Sequence, residues 1–307
     1  MAIVTLDLLK AFDMVPFDIL IKKLKLFGFS ENVIQWFVNY FTQRKQSTVV
    51  NGNKSEESEV NCGVPQGSIL GPLLFIMYMN DLPQVIRNCK VSLYADDTCI
   101  YFASNDPGEL EKAINDDLSA ISDWLLHNKL MLNVKKCQYM IISSKRNCKK
   151  FANLNIKIEN TSLEKVNKCK YLGVVIDSDL SWKPQVENVK SKVLRNFHVL
   201  RRARQFIDQS TALTLYNTMV QPHFQYCSTI WMKPNSSQIK RLQILQNRAL
   251  RIVLKVDYHH NRKDLYQRLE VDCLNAKRCV CIRIKFIFME KTRNAFCEIK
   301  HGELNTR

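Results

Sequence analysis

No apolar run in this sequence reaches the ~20 residues that a bilayer-spanning helix needs, because charge or polarity interrupts every long hydrophobic stretch. The first apolar stretch already carries an acid, Asp7, and no basic leader precedes it, so a signal peptide is not expected. Internal repeats and low-complexity tracts are lacking. Cysteine is not scarce, at eleven residues, but no Cys-x-x-Cys pair occurs. An odd count without framework spacing points to reduced thiols in an intracellular protein of the nucleus or cytoplasm. Cys273, Cys279, Cys281, Cys297 and His301 crowd the C-terminus, yet their spacing fits no zinc finger or knuckle, so structural thiols are expected there.

Acid is scarce in one block. Between Lys190 and Lys300 there are 22 Lys and Arg against 7 Asp and Glu, whereas the remainder carries 23 against 22. The formal net charge of +16 is therefore almost entirely C-terminal. A polyanion is the simplest partner for such a block, nucleic acid ahead of a membrane surface. A solubilising face is the alternative. The 307 residues, 46% of them hydrophobic, exceed one typical domain and support a sizeable core.

Along the chain, Ala2-Ile3-Val4-Thr5-Leu6 reads as a strand. Pro16 is placed to open a helix from Phe17 to Phe27, which Gly28 ends. Ser30 is expected to cap a second helix from Glu31 to Tyr40. Asn51-Gly52-Asn53 is a hairpin turn signal flanked by Ser47 to Val50 and Ser58 to Asn61. Ser68 is expected to cap a helix from Ile69 to Met79, which is apolar nearly all round and so expected to be buried. Asp106-Pro107 opens a long amphipathic helix to about His127, followed by a strand from Gln138 to Ile142 and a hairpin plus strand over 154–176. The order βαββαβ predicts an α+β fold, an antiparallel-containing sheet with helices on one face. From Trp182 the pattern turns helical. Val186, Val189, Val193, Phe197 and Leu200 form one stripe; Ile239, Leu242, Leu245, Ala249 and Ile252 form another. A domain boundary is expected near 178–185.

The chemistry concentrates at Tyr94-Ala95-Asp96-Asp97, between the β-prone segments Lys90 to Leu93 and Cys99 to Phe102. Two carboxylates at a hairpin tip are also what a plain surface turn carries, because Asp hydrogen-bonds its own backbone. Asp7, at the end of another apolar stretch, changes the balance. Carboxylates at the ends of two adjacent strands can hold a pair of divalent ions about 4 Å apart, the clamp used in phosphoryl transfer. Gly63-Val64-Pro65-Gln66-Gly67-Ser68 is a glycine-framed loop that lets backbone approach a base or phosphate, or is simple loop punctuation.

Taken in order, Asp7-Leu8-Leu9-Lys10-Ala11-Phe12-Asp13, the Gly63–Ser68 loop with Leu70-Gly71-Pro72, Tyr94-Ala95-Asp96-Asp97, Leu132-Asn133-x-x-Lys136 and Tyr171-Leu172-Gly173 resemble the motif series of reverse transcriptases, most of all those of non-LTR (LINE-type) retrotransposons. The resemblance covers about residues 1–180. Downstream, Cys227, Trp231 and Leu245-Gln246-Asn247-Arg248 resemble the region that follows the polymerase core in these elements.

The resemblance implies a right-hand polymerase: a palm on a ferredoxin-like βαββαβ sheet with partial fingers over 1–180, and an all-helical basic thumb-like region over 181–307. It implies RNA-directed DNA polymerase activity with an RNA template, a DNA primer, dNTP and two Mg²⁺ ions held by Asp7, Asp96 and Asp97. Phe12 then matches the ring that excludes a 2′-hydroxyl. Gln66, Gly67 and Tyr94 lie by motif at the substrate, Lys136 matches the acid for the leaving pyrophosphate, and Tyr171, Leu172 and Gly173 match the primer grip. Arg195, Arg201, Arg202, Lys240, Arg241, Arg248 and Arg251 would contact nucleic-acid phosphates.

The chain departs from the pattern in having six residues before Asp7, no endonuclease segment, and Leu9 and Phe17 where Ser and His are usual. It therefore reads as a fragment without the N-terminal fingers. A non-catalytic nucleic-acid-binding remnant is the alternative function. A metal-dependent phosphodiester hydrolase is a third, which the Tyr-Ala-Asp-Asp turn and the Gln66 loop argue against.

Overall fold

The computed structural model describes residues 1–42, 44–144, 146–232 and 236–274. The chain divides into two compact units, with the boundary between Leu172 and Gly173.

The first unit is built on a five-stranded sheet. Its strands are β1 (Ala2–Leu6), β2 (Lys90–Tyr94), β3 (Asp97–Phe102), β4 (Gln138–Ile141) and the short β5 (Glu164–Lys165), in the order β5-β4-β1-β3-β2. β1 runs antiparallel to both β3 and β4, β2 and β3 form a hairpin, and β5 joins β4 in parallel. The first four strands thus have the split-βαβ order. Ala2, Val4 and Leu6 are buried while Ile3 and Thr5 are half-buried, the alternation that a pleated strand imposes. Register places Val4 between Ile100 and Tyr139, both buried, so the inward face is continuous across the sheet.

Four helices pack into this core, together with loop residues such as Val64, Leu130 and Leu154: α1 (Phe17–Leu26), α2 (Glu31–Phe41), α3 (Leu70–Met79) and α4 (Pro107–His127). Leu20, Leu24, Ile34, Phe41, Phe75, Leu110, Ile114 and Leu118 are nearly fully buried, each side chain contributing about 1.5–3 kcal/mol of transfer free energy. Asp106 caps α4, its carboxylate accepting from the Glu109 amide at 2.8 Å. Phe17, at the expected histidine position, stacks on Phe41 with centroids 4.8 Å apart.

Three local expectations are corrected. Ser30 makes no side-chain cap bond to α2. The hairpin turn is right, but its return strand starts at once: Val49–Val50 pairs with Asn53–Lys54 around Asn51 and Gly52, both at positive φ. That is the two-residue turn whose twist matches the strands. The Ile69–Met79 segment is not buried all round: Ile69, just before α3, is 96% exposed, and Leu73 (52%) and Ile76 (52%) face solvent. Hydropathy alone cannot say which side of an all-apolar helix meets the core.

The second unit is helical after a short strand, Val174–Asp177. Its helices are α5 (Lys183–Ala203), α6 (Gln209–Leu215), α7 (Gln221–Gln225), α8 (Ser228–Trp231), α9 (Ser236–Leu254) and α10 (Arg262–Leu269). The predicted stripe on α5 is buried in full. On α9 the buried side is rotated: Leu245 and Ile252 are only half-buried, whereas Gln246, Asn247, Leu250 and Val253 are buried. Two buried amides are tolerated because both are bonded. Gln246 donates to the Tyr216 hydroxyl (3.2 Å) and the Asp272 carbonyl (3.0 Å), and Asn247 accepts from the Tyr266 hydroxyl.

Among the described residues no helix is long and apolar enough to cross a membrane. The eight described cysteines form no disulfide; Cys279, Cys281, Cys297 and His301 lie outside the described residues.

Candidate active site

Strand register brings the acids together. The last β1–β3 pair is Leu6 opposite Thr98, so Asp7 and Asp97 stand one residue beyond it on neighbouring central strands. Tyr94 pairs with Asp97, which leaves Ala95 and Asp96 as the tip of the β2–β3 hairpin. Ala95 adopts a left-handed φ of 53°, an unfavourable conformation for a residue with a Cβ and one that clusters at functional sites.

A second motif anchors the other side of Asp7. Leu8 bridges Leu132, the Leu9 amide donates to the Met131 carbonyl, and the Asn133 amide donates to the Asp7 carbonyl at 2.8 Å. The chain then turns, with the Lys136 amide donating to the Asn133 carbonyl, and delivers Lys136 Nζ to 3.6 Å from Asp7 Oδ2. The Asp7 amide points at the buried Cys137 Sγ, 3.4 Å away. Cys137 was not singled out in the sequence, where an isolated Cys between Lys136 and Gln138 carries no signal.

Asp7, Asp97, Lys136 and Tyr171 line one cleft of about 340 Å³ together with Lys135, Lys170 and Glu164. Asp96 and Tyr94 are exposed on the hairpin and do not line it. The Tyr171 hydroxyl is tied to Ser92 Oγ at 3.1 Å, which fixes the ring against β2. Leu172 and Gly173 follow, both at positive φ.

Burial, then the Asp96 and Asp7 carboxylates, raise the Asp97 carboxyl above the usual range. Among the described residues no ion pair engages Asp96 or Asp97. Thr98 Oγ1, at the same strand end, is buried without a hydrogen-bond partner. This end of the sheet therefore carries carboxylates of which Asp7 faces the Lys136 ammonium while Asp96 and Asp97 have no ion pair among the described residues. The acids are aligned but not gathered: among the described residues no three His, Cys, Asp or Glu side chains are close enough to hold a metal ion.

The Gly63–Ser68 loop is stitched to the segment after Asp7. The Val64 amide donates to the Phe12 carbonyl and the Gly63 amide to the Val15 carbonyl, each at 2.8 Å. Gln66 Nε2 donates to Asp13 Oδ1 at 2.7 Å, and Gly67 has φ 80° with open space around it. Ser68 Oγ accepts from the Gly71 amide at 2.9 Å, so it does help to start α3. Phe12 is half-buried and stacks on Phe75, centroids 4.5 Å apart.

In the second unit Arg195, Arg201, Arg202, Lys240, Arg241 and Arg248 are exposed, and Arg251 is half-buried.

Residues 1–176 match the family described as reverse transcriptase (RNA-dependent DNA polymerase). The chain belongs to that family. Its relatives are transposon polymerases, in keeping with the LINE-type motif series. It is 28% identical over 241 residues to a probable RNA-directed DNA polymerase from transposon X-element of Drosophila melanogaster, a match covering 76% of this chain and 26% of that protein. It is 24% identical over 283 residues to the RNA-directed DNA polymerase from mobile element jockey of Drosophila funebris, covering 89% and 30%. This reverse transcriptase-family chain thus spans between a quarter and a third of the length of those relatives. Among solved structures it is similar to a telomerase from Candida tropicalis in complex with a fragment of telomeric RNA, at 12% identity and a TM-score of 0.42, over 88% of this chain and 49% of that one.

Proposed function

We propose that the chain is the nucleotidyl-transfer core of an RNA-directed DNA polymerase, acting on an RNA template, a DNA primer and dNTP. In this reading the first unit is the palm with partial fingers, and the second, helical over most of its described residues, is the thumb. The observation that carries it is the register that sets Asp7 beside the Asp96-Asp97 tip on adjacent central strands.

The donor type at this end of the sheet suits Mg²⁺, although the three acids are aligned by register rather than gathered into one ligand cluster. Carboxylate oxygens are the ligands that hard cation prefers, and burial first, then the neighbouring Asp96 and Asp7 carboxylates, raise the Asp97 carboxyl. Asp7 and Asp96 would be the principal ligands, with Asp97 beside them. Bound there, the ions supply charge neutralisation for a triphosphate and acidity for a primer 3′-hydroxyl.

The chain's own residues do the rest. Phe12, backed by Phe75, sets a wall against a ribose 2′-hydroxyl. Gln66, oriented by Asp13, meets the nascent base pair with Gly67 letting backbone close in. Lys136, whose ammonium already reaches Asp7, donates a proton to the leaving pyrophosphate. Tyr171, Leu172 and Gly173 hold the primer end. The Arg195 to Arg251 cations bind phosphates without regard to sequence.

Primer extension on an RNA template with Mg²⁺ and dNTPs tests this beside an Asp96→Ala control. Extension by the wild type and none by the control is expected. Equal extension in both, or none in either, sinks the reading. Salt-dependent duplex retention by both proteins, with no extension by either, establishes the non-catalytic binding remnant instead.

A further inference from the structure

The second unit holds a cleft of about 600 Å³ that the polymerase motifs do not account for. It lies between the C-terminal end of α5 and the last turns of α9 with the segment after it. Its volume falls within the ~300–1,000 Å³ of ordinary small-ligand sites. Five cations line it (Arg201, Arg204, Arg248, Arg251 and Lys255), and no carboxylate does. Among the described residues none of the five forms a salt bridge.

The five are not equivalent. Arg204 is committed to the fold, its guanidinium donating to the Val253 and Ile207 carbonyls at 2.8 and 2.7 Å. Arg251 lies over the Tyr258 ring, 5.1 Å from its centroid, and its Nε is buried without a hydrogen-bond partner. Arg201, Arg248 and Lys255 are exposed around the opening. Clustered like charge of this kind costs free energy unless an anion joins it.

Apart from Gln205 the rest of the lining is apolar or aromatic: Ile244, Ile252 and Val256, with Tyr258 74% exposed beside them. Phosphate alone gains nothing from such a surface. A duplex presents phosphates and sugars with its bases stacked inside, and it too has no use for an aromatic plate. An unpaired nucleotide has both parts, a phosphate for the cations and a flat π face for the exposed Tyr258 ring.

We propose that this cleft binds one unpaired nucleotide of a single-stranded nucleic acid, base against Tyr258 and phosphate among Arg201, Arg248 and Lys255. The assignment rests on the reading of the second unit as a nucleic-acid-binding one, and goes further by naming an unpaired strand and the residues that recognise it.

The test is fluorescence anisotropy of the full chain with a short fluorescein-labelled RNA, single-stranded or annealed to its complement. Tyr258→Ala is expected to weaken single-strand binding about tenfold and leave duplex binding unchanged within about twofold. Tyr258→Phe keeps the ring and is expected to bind both as the wild type does. Arg201→Gln is expected to flatten the salt dependence of single-strand binding by about one unit of log–log slope. Tyr258 is exposed, so its truncation leaves the core intact, which a thermal melt checks. If Tyr258→Ala weakens both substrates equally, or neither, the cleft assignment is overturned while the nucleic-acid reading stands. If the wild type binds neither substrate, both fall.

Discussion

Lys136 Nζ lies 3.6 Å from Asp7 Oδ2, so an ammonium group already occupies the cationic side of the first motif carboxylate. The contact is made by a turn that the Asn133 amide anchors to the Asp7 carbonyl. Both side chains are well exposed, so the pair is worth less than about 1 kcal/mol of stability. Its consequence is competition with a metal ion. Lys136→Gln is expected to leave the melting temperature nearly unchanged and to lower the Mg²⁺ concentration for half-maximal extension by up to about fivefold. The maximal extension rate is expected to fall, because the proton donor is gone. A raised Mg²⁺ requirement contradicts the prediction.

Gly63 and Gly67 belong to one loop but differ in their surroundings. A Cβ on Gly63 would lie 2.8 Å from the Asp13 carbonyl oxygen, with φ at +93°. One on Gly67, at +80°, would meet nothing within 4 Å. Gly67→Ala is therefore expected to cost about 1 kcal/mol of backbone strain, and Gly63→Ala that strain plus a backbone clash, about 3 kcal/mol in all. Chemical denaturation measures both. Equal losses contradict the stitched-loop account.

Phe12 stacks on Phe75, which fixes the ring by packing rather than by hydrogen bonding. Phe12→Val removes the ring and is expected to raise ribonucleotide relative to deoxyribonucleotide incorporation, at a stability cost of about 1–2 kcal/mol. Competition between labelled rNTP and dNTP reads the ratio. An unchanged ratio in a folded, active variant removes Phe12 from the sugar-discriminating role.

Asp97 has a pH signature. Burial first, then Asp96 and Asp7, hold its carboxyl above the ordinary carboxylate value. The folded chain thus binds that proton more tightly than the unfolded chain. Stability falls as pH rises from the ordinary value through the raised one, and the penalty is complete above it. Asp97 is largely exposed, so screening keeps the penalty below about 1 kcal/mol. Asp97→Asn is expected to raise the melting temperature slightly at neutral pH and to give no gain below the ordinary carboxylate range. A lower melting temperature at neutral pH refutes the charge-repulsion account.

The sequence by itself determined the strands, the helices and the ordered motifs, because these are written in local periodicity, turn chemistry and spacing. Ala2–Leu6, the Asp106-capped helix and the buried α5 stripe all follow from residues near one another in the chain. Tertiary structure alone decided what depends on which distant segments meet. The alignment of Asp7 with Asp97 is set by ladder register, the reach of Lys136 to Asp7 by a turn docked far from β1 in sequence, and the support of Gln66 by Asp13 across a loop. It also decided which side of the all-apolar α3 and of α9 faces inward, since hydropathy names the residues that favour burial but not the neighbours available to bury them.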